Sequence, residues 1–259
     1  MKLENTFFAT LLAGIVVLFG SASAHAQATI DQNKALAGSV TPGDTPGFPV
    51  TLSVPGSYKL TGNLTVPAGT TGITITVSGV TLDLNGFNIV GANTCFRENA
   101  LYVVTCTQPN SSDRGVLAFS SSGNTMRNGR IAGFSIGVQA GSGSLLENLM
   151  VESNYIGVTG TLTGGAHTVI RNVRSQLNAM TGFKLRDALV QGSTAGDNGG
   201  TGFEGNTSVI LDSVASGNLG AGIQGQSLVV GRSVAQDNKG GNMVQPVSLG
   251  GNLNGNTAY

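Results

Sequence analysis

Charge is scarce in this sequence of 259 residues: 10% are Asp, Glu, Lys or Arg, and the formal net charge is zero. Soluble domains contain about 25% charged residues, and nucleic-acid-binding proteins concentrate Lys and Arg on one surface. Their affinity depends on neutralising phosphates, so a chain without a basic excess is not expected to bind DNA or RNA. The sequence also contains no tryptophan.

Cysteine is rare as well, with Cys95 and Cys106 as the two copies. The N-terminus has the features of a secretory signal peptide over residues 1–26: Lys2, an apolar stretch from Phe7 to Phe19, and the small-x-small sequence Ala24-His25-Ala26. The apolar stretch is shorter than the roughly 20 residues needed to span a bilayer, and no later segment is apolar enough. We therefore expect a secreted or periplasmic protein without a transmembrane segment, in which the two cysteines form a disulfide.

Glycine is abundant, with 40 copies, and it recurs in a repeat of about 20 residues. Each unit contains an Asn that is followed by Gly and an apolar residue, and the aligned asparagines are Asn154, Asn178, Asn198, Asn218 and Asn238. The apolar segments alternate with period 2, which is typical of strands. Like positions recurring once per unit indicate a solenoid with a core of stacked residues. Asn at the bend is expected to adopt unusual backbone angles and to bond to neighbouring rungs.

These units resemble the right-handed parallel β-helix proteins of the pectin-lyase-like superfamily over about residues 115–245, and more weakly at "GVTLDLNGFNIVG", residues 79–91. The resemblance implies an all-β, right-handed parallel β-helix of about seven or eight coils. We predict a lead-in or cap at 27–60, the β-helix at 61–259, and a disulfide-bearing insertion at 91–114.

Two other solenoids fit less well. The segment "LENLMVESN" matches a leucine-rich repeat, but later units place serine where that template requires leucine: Ser193, Ser213 and Ser233. A left-handed hexapeptide helix would need a strict short period, which these units do not have.

The strand after each Gly is expected to point its apolar residue inward and the next residue outward. This predicts an external column of five residues: Gln139, Thr159, Lys184, Glu204 and Gln224. Arg186 and Asn206 belong to a second column two positions further on. The resemblance implies that this is the sheet on which β-helix enzymes usually bind polysaccharide. No aromatic side chain stands among these candidates.

Several functions are compatible with the columns. Polysaccharide binding is the leading hypothesis, on a polysaccharide or cell-surface glycan. In a lyase or epimerase, Lys184 would act as base and Arg186 as carboxylate clamp on an acidic sugar. The alternative interpretation is that Lys184 forms an exposed ion pair with Glu204 on the next rung. A structural or adhesive solenoid is the third possibility.

Other chemistries are disfavoured by the scarcity of carboxylates. A glycosidase usually needs two carboxylates about 5 to 9.5 Å apart, and the external columns offer Glu204 and the distant Asp83. Calcium needs six to eight oxygen ligands, and no neighbourhood gathers three carboxylates. We therefore predict neither a metal nor a cofactor.

Overall fold

The structure is a computed structural model that describes residues 27–98, 103–107, 112–160, 167–248 and 253–255, with side chains up to Val244. The predicted signal peptide, residues 1–26, lies outside the described residues. The chain forms an all-β parallel solenoid of about nine turns, which confirms the predicted fold class. Each turn contributes strands to three parallel sheets.

Sheet 1 carries the Gly-apolar segments. Its strands are β2 (Val50–Leu52), β5 (Ile73–Ile75), β10 (Arg114–Leu117), β12 (Ile136–Gln139), β14 (Ile156–Thr159), β17 (Phe183–Arg186), β20 (Phe203–Asn206), and the first parts of β23 (Ile223–Gly231) and β25 (Met243–Ser248).

Sheet 2 follows sheet 1 in each turn. Its strands are β1 (Ala28–Ile30), β3 (Gly56–Leu60), β6 (Val80–Asp83), the first parts of β11 (Thr125–Ala132) and β13 (Leu145–Glu152), β15 (Thr168–Arg171), β18 (Ala188–Gln191), β21 (Val209–Leu211), and the ends of β23 and β25.

Sheet 3 completes the turn. Its strands are β4 (Leu64–Thr65), β7 (Asn88–Val90), the ends of β11 and β13, β16 (Arg174–Gln176), β19 (Thr194–Gly196), β22 (Val214–Ser216), β24 (Val234–Gln236) and β26 (Leu253–Gly255).

The solenoid has more turns than the seven or eight predicted, because residues 27–60 already contribute to it. Strand β1 pairs with β3, β2 pairs with β5, and β3 pairs with β6, all in parallel. These strands are short and lie among four prolines, so the segment lacks the cadence of the later units. It also contains helix α1 (Gln32–Ala37), which is capped by the Asp31 side chain and contributes Ala35 to the core.

The core consists of stacked apolar residues, one column for each sheet. Sheet 2 contributes an inward column that recurs once per turn and is fully or almost fully buried: Met126, Leu146, Ile170, Val190, Ile210 and Val230. On sheet 1, the Phe183 and Phe203 rings stack with centroids 4.7 Å apart and planes 8° apart. Aromatic stacking adds about 0.5–1.5 kcal/mol per pair beyond the area buried.

The repeated asparagines form a buried ladder between sheets 3 and 1, as predicted. The Asn178 side-chain amide donates to Asn198 Oδ1 at 2.9 Å, and Asn198 donates in the same way to Asn218 at 2.9 Å. The prediction that the asparagines themselves adopt unusual backbone angles was wrong. The residue before each Asn does so: Ser153, Leu177, Asp197, Gly217 and Asp237 have φ between 53° and 66°. That residue turns the chain, which leaves the Asn free to point inward.

Serine forms a second buried ladder, between sheets 2 and 3. The backbone N–H of Val173 donates to Ser193 Oγ, that of Ser193 to Ser213 Oγ, and that of Ser213 to Ser233 Oγ, each at 3.2 Å. These are the serines that did not fit the leucine-rich template. A leucine there could not accept the backbone hydrogen bond from the preceding rung.

The predicted disulfide between Cys95 and Cys106 is present. It joins β8 (Cys95–Glu98) to β9 (Val103–Cys106), an antiparallel hairpin within the predicted insertion. The hairpin lies along the outside of the asparagine turns, where Arg97 forms an ion pair with Asp197. It therefore borders sheet 1 on the side of sheet 3.

Candidate functional site

The outer face of sheet 1 holds the predicted external column in one register. Gln139 pairs with Thr159, Thr159 with Lys184, Lys184 with Glu204, and Glu204 with Gln224. Neighbouring parallel strands are about 4.8 Å apart, so the five side chains cover about 19 Å along the solenoid. The register follows from the repeat, because every inward apolar residue of sheet 1 stacks on its equivalent.

Lys184 and Glu204 form an exposed ion pair. Lys184 Nζ lies 3.6 Å from Glu204 Oε1, and the two side chains are 46% and 41% exposed. Glu204 Oε2 also accepts a hydrogen bond from the Thr181 hydroxyl at 3.3 Å. An exposed pair of this kind stabilises the fold by about 0–1 kcal/mol, so both groups can exchange partners at little cost.

The second column is also exposed. Arg186 and Asn206 are paired on adjacent strands, and Asn206 Oδ1 accepts from the Gln226 backbone N–H at 3.2 Å. Both residues are therefore neighbours on adjacent rungs of this face. This corner of sheet 1 therefore offers several hydrogen-bond donors to a ligand.

Thr159 differs from its predicted exposure. It is 8% exposed, and its hydroxyl has no hydrogen-bond partner. The residue lies between Gln139 and Lys184, whose longer side chains flank it on the adjacent rungs. A buried hydroxyl without a partner carries a desolvation cost of about 1–3 kcal/mol.

Arg114 is a polar residue of this face that the sequence analysis missed. Its Nε donates to Gln139 Oε1 at 2.8 Å. Burial lowers the pKa of the Arg114 guanidinium, and the charge of Asp113 partly offsets this effect. The signal was in the sequence, because "RGVL" has the same Gly-apolar step as the later units, and Arg114 pairs with Ile136, the residue before the next equivalent Gly.

Phe119 is an exposed aromatic residue next to the C-terminal end of β10, a strand of sheet 1. It follows β10 in a turn closed by the Ser121 N–H to Ala118 carbonyl hydrogen bond, and it is 40% exposed. Leu117, two residues earlier, pairs with Gln139. The external columns of later units contain no aromatic residue, so the repeat alone did not draw attention to Phe119.

The chemistry available here is hydrogen bonding rather than acid–base catalysis by paired carboxylates. Within the described part of the chain, Glu204 is the one carboxylate on the two columns of sheet 1, because Asp83, which the sequence analysis assigned to the external columns, lies at the end of β6 in sheet 2. No three His, Cys, Asp or Glu side chains converge anywhere among the described residues. The face combines amides, an ion pair and a half-exposed aromatic ring, which together suit hydroxyl and carboxylate groups.

The fold defines the class of protein: it is a parallel β-helix. Within the described ranges, no helix is long and apolar enough to cross a membrane.

Comparison with solved structures supports the same fold. The chain is similar to a mutant of the periplasmic alginate epimerase AlgG, with a TM-score of 0.54 and 13% identity over 79% of this chain and 56% of the epimerase. A second AlgG structure gives a TM-score of 0.50 and 13% identity over 75% and 51%. The Dettilon tailspike protein gives 0.45 and 17% identity over 73% and 39%. The chain thus spans about half the length of the epimerase structures it matches. No family model and no curated protein sequence matches it.

Proposed function

We propose that this protein is exported and binds a polysaccharide along the outer face of sheet 1. The observation that carries the proposal is the column of Gln139, Lys184, Glu204 and Gln224, which pair in register along sheet 1 with Thr159 between Gln139 and Lys184. A linear glycan repeats its hydroxyl groups along its length, and a column of polar side chains repeats its donors and acceptors in the same direction.

Phe119 adds an apolar component to this surface. Binding sites for small polar ligands combine apolar contact area with a few placed polar groups, and aromatic rings supply much of that area. Phe119 is 40% exposed in the turn directly after β10, so a glycan that extends to β10 on sheet 1 would pass the end of the strand from which the ring projects. The disulfide is compatible with an extracellular or periplasmic location.

An acidic glycan is the first ligand to test, because Arg114, Lys184 and Arg186 outnumber Glu204 on this face. Alginate is a suitable probe, since the solved structures of similar fold include an alginate epimerase. A neutral glucan of equal length gives the comparison that separates charge from shape.

The decisive experiment compares two matched triple variants by calorimetry with alginate oligosaccharides. Lys184→Ala, Arg186→Ala and Gln224→Ala remove two cations and an amide from sheet 1. Arg174→Ala, Lys239→Ala and Gln236→Ala remove the same groups from exposed positions on and beside sheet 3. We expect the first set to raise Kd by about 100-fold, because three lost hydrogen bonds at about 1 kcal/mol each total about 3 kcal/mol, and the second set to leave it unchanged. Equal effects of the two sets would contradict the proposal.

A polysaccharide lyase or epimerase is the second candidate, with Lys184 as base and Arg186 as the group that binds the carboxylate. The positions of Lys184 and Arg186 on one strand favour it, since both can reach one sugar residue. Ultraviolet absorbance from an unsaturated uronate, or a change in the uronate composition of alginate by NMR, would reveal turnover. Turnover that survives Lys184→Ala would exclude this role for Lys184. A structural or adhesive solenoid would show neither glycan binding nor turnover.

A further inference from the structure

The outer face of sheet 2 carries a stripe of aliphatic side chains. Among the described side chains its members are Leu145, Val169, Leu189, Val209 and Val229, which pair in register on consecutive strands. The residues that follow them in the chain fill the core, so these five point away from it, and each is partly exposed. At about 4.8 Å per strand the stripe is about 19 Å long. Among the described residues, sheets 1 and 3 carry no aliphatic run of this length.

Charged residues lie beside the two ends of this apolar stripe. At the N-terminal end are Glu147 and Arg171, two positions beyond Leu145 and Val169. At the C-terminal end are Asp212 and Arg232, in the turn that follows sheet 2 and joined by a bidentate ion pair at 2.7 and 2.9 Å. Arg171 is exposed and has no ion-pair partner among the described residues.

We propose that the apolar stripe is the interface of a homodimer in which two copies of this chain pack antiparallel, sheet 2 against sheet 2. The two-fold axis runs along the strand direction and passes between the Leu189 side chains of the two copies. Leu189 then meets Leu189 of the second copy, Val169 meets Val209, and Leu145 meets Val229. Stacked sheets pack about 10 Å apart, which aliphatic side chains of this size fill.

The charges select a second copy in this orientation. Rotation about this axis reverses the direction of the solenoid. Arg171 then lies opposite Leu211 and Asp212 of the second copy, and Glu147 lies opposite Gly231 and Arg232 of the second copy. Each charge therefore meets its opposite, and each contact occurs twice because a two-fold interface is isologous. Packing the same columns with the solenoid axes parallel would reverse the strands, so Glu147 and Arg171 would face Gly143 and His167 of the second copy instead of an opposite charge.

The proposed interface leaves sheet 1 open. Sheet 2 faces a different side of the solenoid, so the dimer and the polysaccharide surface are independent of each other. A stripe one sheet wide gives an interface at the small end of the range for specific complexes. The dimer is therefore expected to be weak and to depend on protein concentration.

Sedimentation velocity of the full chain tests for the dimer at concentrations on the order of 1 μM to 100 μM. The wild type should shift from the mass of one chain towards twice that mass. Leu189→Lys places two like charges at the two-fold axis and should keep the chain monomeric. Ile136→Lys is the matched control, since Ile136 is an aliphatic, partly exposed residue on the outer face of sheet 1, and it should still dimerise.

Cross-linking through single cysteines tests the orientation. Leu189→Cys should form a covalent dimer with a short bifunctional maleimide, which spans the ~10 Å between facing sheets, because the residue meets its own copy at the axis. Val169→Cys alone should not, whereas a mixture of Val169→Cys and Val209→Cys should form a linked heterodimer. Ile136→Cys measures the background of random collisions.

Three outcomes would overturn the proposal. A wild type that stays monomeric across the whole range removes the dimer, even if the apolar stripe then proves to bind another protein. A dimer that persists in Leu189→Lys uses another surface. Self-linking of Val169→Cys would show a parallel arrangement.

Discussion

Replacing Asn198 by alanine should destabilise the protein strongly, because this residue is at the centre of the buried ladder. Its Oδ1 accepts from the backbone N–H and the side-chain amide of Asn178, at 3.1 and 2.9 Å. Its Nδ2 donates to the Ser175 carbonyl at 3.2 Å and to Asn218 Oδ1 at 2.9 Å. The residue is 0% exposed, so water cannot replace these contacts without entering the core.

Asn198→Ala removes four hydrogen bonds, and each contributes about 1 kcal/mol. We therefore expect a loss of about 4 kcal/mol in the free energy of unfolding. Asn206→Ala is the control, because Asn206 belongs to the same coil of the solenoid but is exposed. Its side chain accepts one hydrogen bond, from the Gln226 backbone N–H at 3.2 Å. It should cost less than about 1 kcal/mol.

Urea unfolding followed by far-ultraviolet circular dichroism gives both values, provided that the slope against denaturant is the same in each variant. Asn198→Asp separates hydrogen bonding from volume, since the carboxylate has the same shape but cannot donate to Ser175 or Asn218. It should be at least as destabilising as alanine at neutral pH, because it also buries a charge. Equal free energies of unfolding for Asn198→Ala and Asn206→Ala would refute the idea that the asparagine ladder stabilises the fold.

Two further predictions concern backbone packing and pH. Gly202→Ala should be strongly destabilising, because a Cβ there would lie 2.6 Å from the Gly222 carbonyl oxygen. Gly160→Ala is the control and should be tolerated, because the nearest atom to a Cβ there is 3.7 Å away. Thermal unfolding of the two variants checks this, and equal melting temperatures would contradict it. Burial raises the pKa of Asp83, but hydrogen bonds from Asn85, Asn128 and Arg127 lower it more, so the pKa lies below its ordinary value of 3.8. Because the folded pKa is lowered, the stabilisation is present above pH 3.8 and is lost as the pH falls through the folded pKa. Asp83→Asn should therefore lose less stability than the wild type on acidification over that window; identical pH profiles would show that Asp83 contributes nothing.

The repeat predicted the register of the structure because a solenoid stacks equivalent residues. Once Asn154 and Asn178 were aligned, the inward and outward positions of the intervening strands followed from strand alternation. The N-terminal turns were not predictable in the same way. Strands β1, β2 and β3 are held by pairing with β3, β5 and β6, and no repeated motif within residues 27–60 indicates it.

Side-chain exposure on sheet 1 depended on neighbours that the repeat does not specify. Thr159 has the alternation of an outward residue, but its neighbours on the adjacent rungs leave it 8% exposed. Arg114 and Phe119 belong to an earlier, irregular unit, and they join the face because parallel pairing brings β10 next to β12. Their distance in sequence from Lys184 concealed their position on the same sheet.

The amino-acid sequence by itself determined the class of fold, the disulfide and the column on sheet 1, because each depends on a local pattern: a 20-residue period, two cysteines, and alternation after Gly. The tertiary structure decided which of those positions are accessible, that the asparagines lie inside the turn, and that sheet 2 presents an unbroken aliphatic stripe. These properties depend on what the rungs above and below place beside each residue, and such contacts between distant segments arise only when the solenoid closes on itself.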